Sequence, residues 1–119
     1  MEKAEIFYVS SKNKLSQSFI VKMYVNPTVT MDDFNKYYMK IYETNIPNTI
    51  NIENEKSLNQ YLESLYNIFN SDKNPLSAPF YQKIIKNNKL HTSMSMSDVI
   101  KIGTNYYYAA GFGFHKITN

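Results

Sequence analysis

Asp98-Val99-Ile100-Lys101-Ile102, Gly103-Thr104-Asn105, Tyr106-Tyr107-Tyr108-Ala109-Ala110 and Gly111-Phe112-Gly113-Phe114-His115-Lys116-Ile117 follow one another without interruption. The first run reads as a strand, the second as a tight turn and the third as the returning strand. In the fourth, Phe112, Phe114 and Lys116 alternate with Gly113, His115 and Ile117, and the glycines predict a bulge or bend before a last short strand. An isolated hairpin is marginal in water, so this meander needs further strands or helices to cover it.

The cover lies upstream. From Glu55 to Asn70, residues Leu58, Tyr61, Leu62, Leu65, Tyr66 and Phe69 form one apolar stripe at helical spacing, and Asn54 is placed to cap its start. Ser71-Asp72-Lys73-Asn74-Pro75 breaks that helix. Pro79 then opens a short helix through Phe80, Ile84 and Ile85 that ends near Asn87-Asn88. Thr30-Met31-Asp32-Asp33 reads as a cap with two acids in the first turn, and Phe34, Tyr37, Tyr38 and Ile41 extend that helix to about Thr44, before Pro47. Nearer the start, Phe19, Val21, Met23 and Val25 alternate with polar residues and predict a strand closed by Asn26-Pro27. Ile6–Val9 is its shorter partner, and Ser10–Ser16 the hairpin loop between them.

The expected fold is α+β: an N-terminal β-hairpin, two to three helices, and a C-terminal antiparallel hairpin or meander, forming one sheet packed on the helices. Residues 1–119 form a single domain, since a chain of this length supports one core, and 43% hydrophobic with 15% aromatic residues supplies it. The absence of cysteine excludes disulfides and thiolate chemistry and suits a reducing cytosol. The first ten residues carry acids and a four-residue apolar run, unlike a secretory signal, and no stretch is apolar enough to span a membrane. A soluble cytoplasmic protein is expected.

Charge is uneven. Residues 1–72 hold seven Lys against nine acids, for −2, while residues 73–119 hold six Lys against Asp98 alone, for +5. That half suits phosphate or an acidic protein surface. All 13 cations are lysine, however, and without the bidentate fork of arginine a sequence-specific reading of DNA is weakened. With 15 Asn in the chain, a coding bias toward Lys and Asn codons accounts for the pattern better than a nucleic-acid partner does.

No catalytic constellation emerges from spacing. His91 precedes Asp98 by seven residues, but neither an HExxH-like helix nor a third metal ligand accompanies them. Ser93, Ser95 and Ser97 alternate with Met94 and Met96 outside any nucleophile elbow, and their hydroxyls are expected to bond nearby backbone and fix the approach to the strand. The pairs Asp32/Asp33 and Glu53/Glu55 stand at helix starts, where capping explains them. Gly111-Phe112-Gly113 lacks the context of a phosphate loop. No enzyme activity, cofactor or metal is expected. Tyr106, Tyr107, Tyr108, Phe112 and Phe114, with Lys101 and Lys116, are the candidate binding surface, because aromatics dominate contact energy at protein interfaces and also stack nucleic-acid bases.

Leu65–Asn70, His91–Ile100, Tyr106–Tyr108 and Gly111–Phe114 together resemble the YodL-like family, found in Firmicutes and their phages, plasmids and conjugative elements. The likeness spans about residues 65–117; Ala109-Ala110 replace the Asp-Ser common in the family, and the linker from Ser71 to Leu90 is longer. The resemblance implies a small non-enzymatic accessory protein of a phage or other mobile element that binds and inhibits a host protein, as an anti-defence or host-takeover factor. A basic nucleic-acid-binding accessory protein is the alternative, and self-association of the aromatic surface stays open.

Overall fold

Strand β1 (Lys3–Val9) contains the Ile6–Val9 run and lies inside the sheet, which is why both of its faces are apolar. The computed structural model describes residues 2–118. After β1 come α1 (Lys14–Val25), α2 (Met31–Tyr37), β2 (Tyr38–Asn45), α3 (Glu55–Ile68), a single 3-10 turn at Pro75–Ser77, α4 (Pro79–Asn88), β3 (Val99–Ile102), β4 (Asn105–Ala110) and β5 (Gly113–Lys116). The five strands form one antiparallel sheet in the order β2-β1-β3-β4-β5. The architecture is α+β, with a C-terminal meander as the residues predict.

Helices cover both faces of this sheet. Ala4, Ile6 and Tyr8 of β1, with Ile100 and Ile102 of β3, face α3 and α4 and meet Leu58, Tyr61, Leu62, Leu65, Leu76 and Ile85. Val9, Val99 and Tyr108 face α1 and α2 and meet Phe19, Met23 and Phe34. The period of two along each strand makes this division. Helix α3 follows its apolar stripe, and the Asn54 side chain accepts a bond from the Ser57 N–H at 3.0 Å, as its position predicts.

Two upstream elements differ from expectation. Residues 17–25 are helical, not a strand, so there is no N-terminal hairpin; β1 instead pairs with β2 across two intervening helices. Asn13 starts α1 by accepting the Ser16 N–H at 2.9 Å, and the buried residues are Ser16, Phe19 and Met23, at i, i+3 and i+7. The alternating Val21 and Val25 are left in water. The apolar positions satisfied both periods, and the cap chose the helix. The second difference is at Tyr38. The Thr30 capping box forms as predicted, with Asp33 as its reciprocal partner, but α2 stops after seven residues. Residues 38–45 are β2, not more helix, because pairing with the free edge of β1 from Lys3↔Asn45 to Val9↔Tyr38 outweighs about two further helical turns. Ile41 is buried either way.

Candidate functional site

The segment between α4 and β3, residues 89–98, crosses the end of the sheet as irregular chain held by buried donors. The Asn74 amide donates to Phe69 O at 2.7 Å and to Thr92 O at 2.9 Å, and the Gln82 amide reaches Thr92 Oγ1 at 3.1 Å. Two tyrosines from adjacent strands complete the clamp: Tyr8 Oη donates to Thr92 O at 3.1 Å and Tyr38 Oη to Ser97 O at 2.6 Å. Burial and the nearby Asp98 push both phenols well above their ordinary range, so they remain donors. Ser97 has φ 73°, in the left-handed region that disfavours a side chain, and its N–H donates to Ala109 O at 2.7 Å. That inversion turns Met96 outward and Asp98 inward.

Asp98 is buried at the floor of this segment. Its Oδ2 accepts from His91 Nε2 at 2.8 Å and from the Ser95 N–H at 2.6 Å, while its own N–H returns a bond to Ser95 O at 3.1 Å. The His91 ring stacks on Tyr8 with centroids 4.3 Å apart and planes inclined by 18°. Burial raises the Asp98 carboxyl above its ordinary value, with His91 and the Ser95 N–H opposing that shift. Sequence spacing gave no support to a His91–Asp98 pair; the Ser95–Asp98 turn creates it.

Two depressions flank Met96. A cleft of about 120 Å³ lies between Val9, Ile20, Met23 and Tyr24 on one side and His91 and Ser95–Asp98 on the other. A more open groove of about 340 Å³ lies between Tyr66 and Asn67 of α3 and the Ala109–Phe114 turn, with Met96 as the shared wall. Of the serines, Ser95 and Ser97 act through their backbone groups rather than as hydroxyl donors to nearby chain, and Ser93 takes part in neither depression.

The aromatic run expected to form one binding surface is divided between the two faces. Tyr106 lies against Phe34 at 4.7 Å and Tyr108 is core, so neither offers a free ring, while Tyr107 points toward α3. Lys101 Nζ is 3.9 Å from Glu5 and 5.4 Å from the Tyr106 centroid, which occupies it. Phe114 lies 6.2 Å from Tyr66 at the edge of the groove, and Lys116 and Phe112 are exposed, Phe112 at 97%. His115 packs on Tyr108 at 5.6 Å and does not line the His91 cleft. Sequence reading missed Ile20, Met23 and Tyr24, whose place in the site depends on α1 being a helix. Among the described residues no group of three His, Cys, Asp or Glu is placed to hold a metal, and no helix is long and apolar enough to cross a membrane.

Over 83 residues the chain is 42% identical to uncharacterized protein R785 of Acanthamoeba polyphaga mimivirus, an alignment that covers 70% of this chain and 71% of that one. The chain belongs to the family of that mimivirus protein. The family thus has a viral member, and its fold here is an α+β sheet clamped between two helical layers. No family model and no solved structure matches the chain.

Proposed function

We propose that the protein is a non-enzymatic binder that modulates a host protein in the host cytoplasm, encoded by a virus or another mobile element, as the YodL-like resemblance implies. One observation carries this reading: Tyr24 and Met96 stand 83% and 45% exposed in the walls of two depressions joined at Met96, and Phe112, 97% exposed, projects from the turn whose Gly111 and Gly113 wall the second. Large apolar side chains held in water around concave walls are the material of a protein interface. The His91–Asp98 pair fits the same reading, because the bond fixes the ring as a wall of the smaller depression. The viral relative supports the host-directed part.

Photo-crosslinking tests it. With benzoylphenylalanine placed at Met96, at Phe112, or at the remote exposed position Asn48, the first two are expected to trap the same host protein and the third none. Identical products from all three positions, or none from any, would remove the proposal.

A further inference from the structure

The carboxylate at the floor of the cleft is only half used. Both donors that reach the Asp98 carboxylate, His91 Nε2 and the Ser95 N–H, end on Oδ2. No hydrogen bond among the described residues reaches Oδ1. Yet among those residues no fully buried side-chain oxygen lacks a partner, so Oδ1 is not sealed in the core. Asp98 lines the 120 Å³ cleft, the space into which an unsealed Oδ1 can open. An ionised carboxylate offers about four acceptor positions, and two of them on Oδ2 are taken.

The walls define what belongs in that space. Val9, Ile20, Met23 and Met96 are apolar, so a hydrated ion gains nothing from them. Among the described residues no lysine lines the cleft, and its one carboxylate, Asp98, repels anions. The volume is roughly ten times the 10–15 Å³ that a single water needs, so it admits a short chain of heavy atoms. A guanidinium engages a carboxylate best through both oxygens, and Oδ2 is already occupied; an ammonium is a point charge that needs only one. Tyr24, at the mouth, is placed to cover an aliphatic stem.

We infer that the cleft between α1 and the 91–98 segment is a binding site for an alkylammonium group, whose methylene stem lies against Ile20, Met23 and Met96 and whose nitrogen donates to Asp98 Oδ1. The group is supplied either by a free amine or by a lysine side chain of a partner protein. This site goes beyond the contact surface proposed above and stands or falls separately from it.

The test is a titration of isotope-labelled protein with n-butylammonium chloride, followed through the amide resonances of Ser95, Met96 and Asp98, with n-butanol as the uncharged control. Saturable shifts centred on these residues are expected, with affinity at least about tenfold above that of n-butanol, as a charge-assisted bond to a buried carboxylate requires. Asp98→Asn is expected to abolish that margin. Should Asp98→Asn fail to fold, Ile20→Trp plugs the cleft from its rim without touching the carboxylate, and is expected to abolish binding as well. Equal affinity for butanol, shifts that do not saturate, or full binding in both variants overturns the site. Tighter binding of a lysine peptide with flanking apolar residues than of butylammonium identifies a protein side chain as the source, whereas tighter binding of spermidine identifies a free amine. Crosslinking at Phe112 that succeeds while butylammonium fails leaves the host-binding reading intact and removes this site alone.

Discussion

On one side of the sheet, Ile6, Leu62, Leu76 and Ile100 lose all contact with water; on the other, α1 covers the strands with Phe19 and Met23 but leaves Val21, Tyr24 and Val25 outside. The first layer is mostly aliphatic and tightly packed at its centre, with the 340 Å³ groove at its margin between α3 and the Ala109–Phe114 turn. The second is rich in rings, with Phe19 stacked on Tyr37 at 4.5 Å and Phe34 set edge-on to Phe7 at 4.8 Å, and it stops short of the 91–98 segment, which leaves the cleft. Leucines interdigitate to fill a volume, whereas stacked rings and an irregular segment leave edges unfilled. The difference teaches a division of labour: the α3/α4 layer carries most of the buried aliphatic core, whereas the α1/α2 layer leaves apolar side chains and a cleft open to water.

That contrast can be broken most directly by substitution in each layer. Leu62→Ala should cost about 2–5 kcal/mol, the transfer loss plus the cavity left behind, whereas Val21→Ser on the outer face of α1 should change stability by no more than about 0.5 kcal/mol. Urea unfolding reads both. Comparable losses would mean that α1 is as much a part of the core as α3.

A smaller effect concerns Asp98, the buried charge where the layers part. Burial raises its carboxyl above the ordinary 3.8, against the pull of His91 and the Ser95 N–H, so the native chain holds this proton more tightly than the unfolded chain does. Its contribution is therefore fully present below pH 3.8 and is lost as pH rises through the raised native value. The stability of the wild type relative to Asp98→Asn should fall from acid toward neutral pH in a urea series. A rise would show that the His91 pairing outweighs burial.

The smallest effect is expected at the outer edge of β2. Glu43 lies 2.7 Å from both Lys3 and Lys40, which hold its carboxyl down at about 2. A lowered carboxyl stabilises above its ordinary 4.5 and loses that contribution as pH falls toward about 2. The group is fully exposed and screened by solvent. Glu43→Gln should produce a slight loss at neutral pH that disappears in concentrated salt; a loss that persists would place this edge among the structural contacts.

How much was legible depended on whether the signal was local. Helix α3 was, since its stripe and the Asn54 cap lie within one stretch, and so was the β3–β5 meander, whose turns carry their own glycines. Residues 19–25 were not, because Phe19 and Met23 fit a period of two and a helical face at once, and only the Asn13 cap separates the readings. In the candidate site, Phe112 was named among the binding aromatics as part of the last strand, and the structure instead leaves it exposed on the turn before β5. The pairing of His91 with Asp98 was not, because it requires Ser97 to enter the left-handed region and Ser95 to close the turn. The tyrosine triplet misled for a simpler reason: consecutive residues of a strand face opposite ways, and here both faces are covered.

The amino-acid sequence by itself determined the fold class, the positions of α3, α4 and the C-terminal strands, and the caps at Asn54 and Thr30, because periodicity and capping act over a few neighbouring residues. Tertiary structure alone decided that Tyr38–Asn45 becomes a strand, that α1 lies across the sheet from α3, and that Asp98 faces a cleft walled by residues about 75 positions away. Strand pairing and burial of a carboxylate are interactions between distant parts of the chain, and their energies exist only once those parts have met.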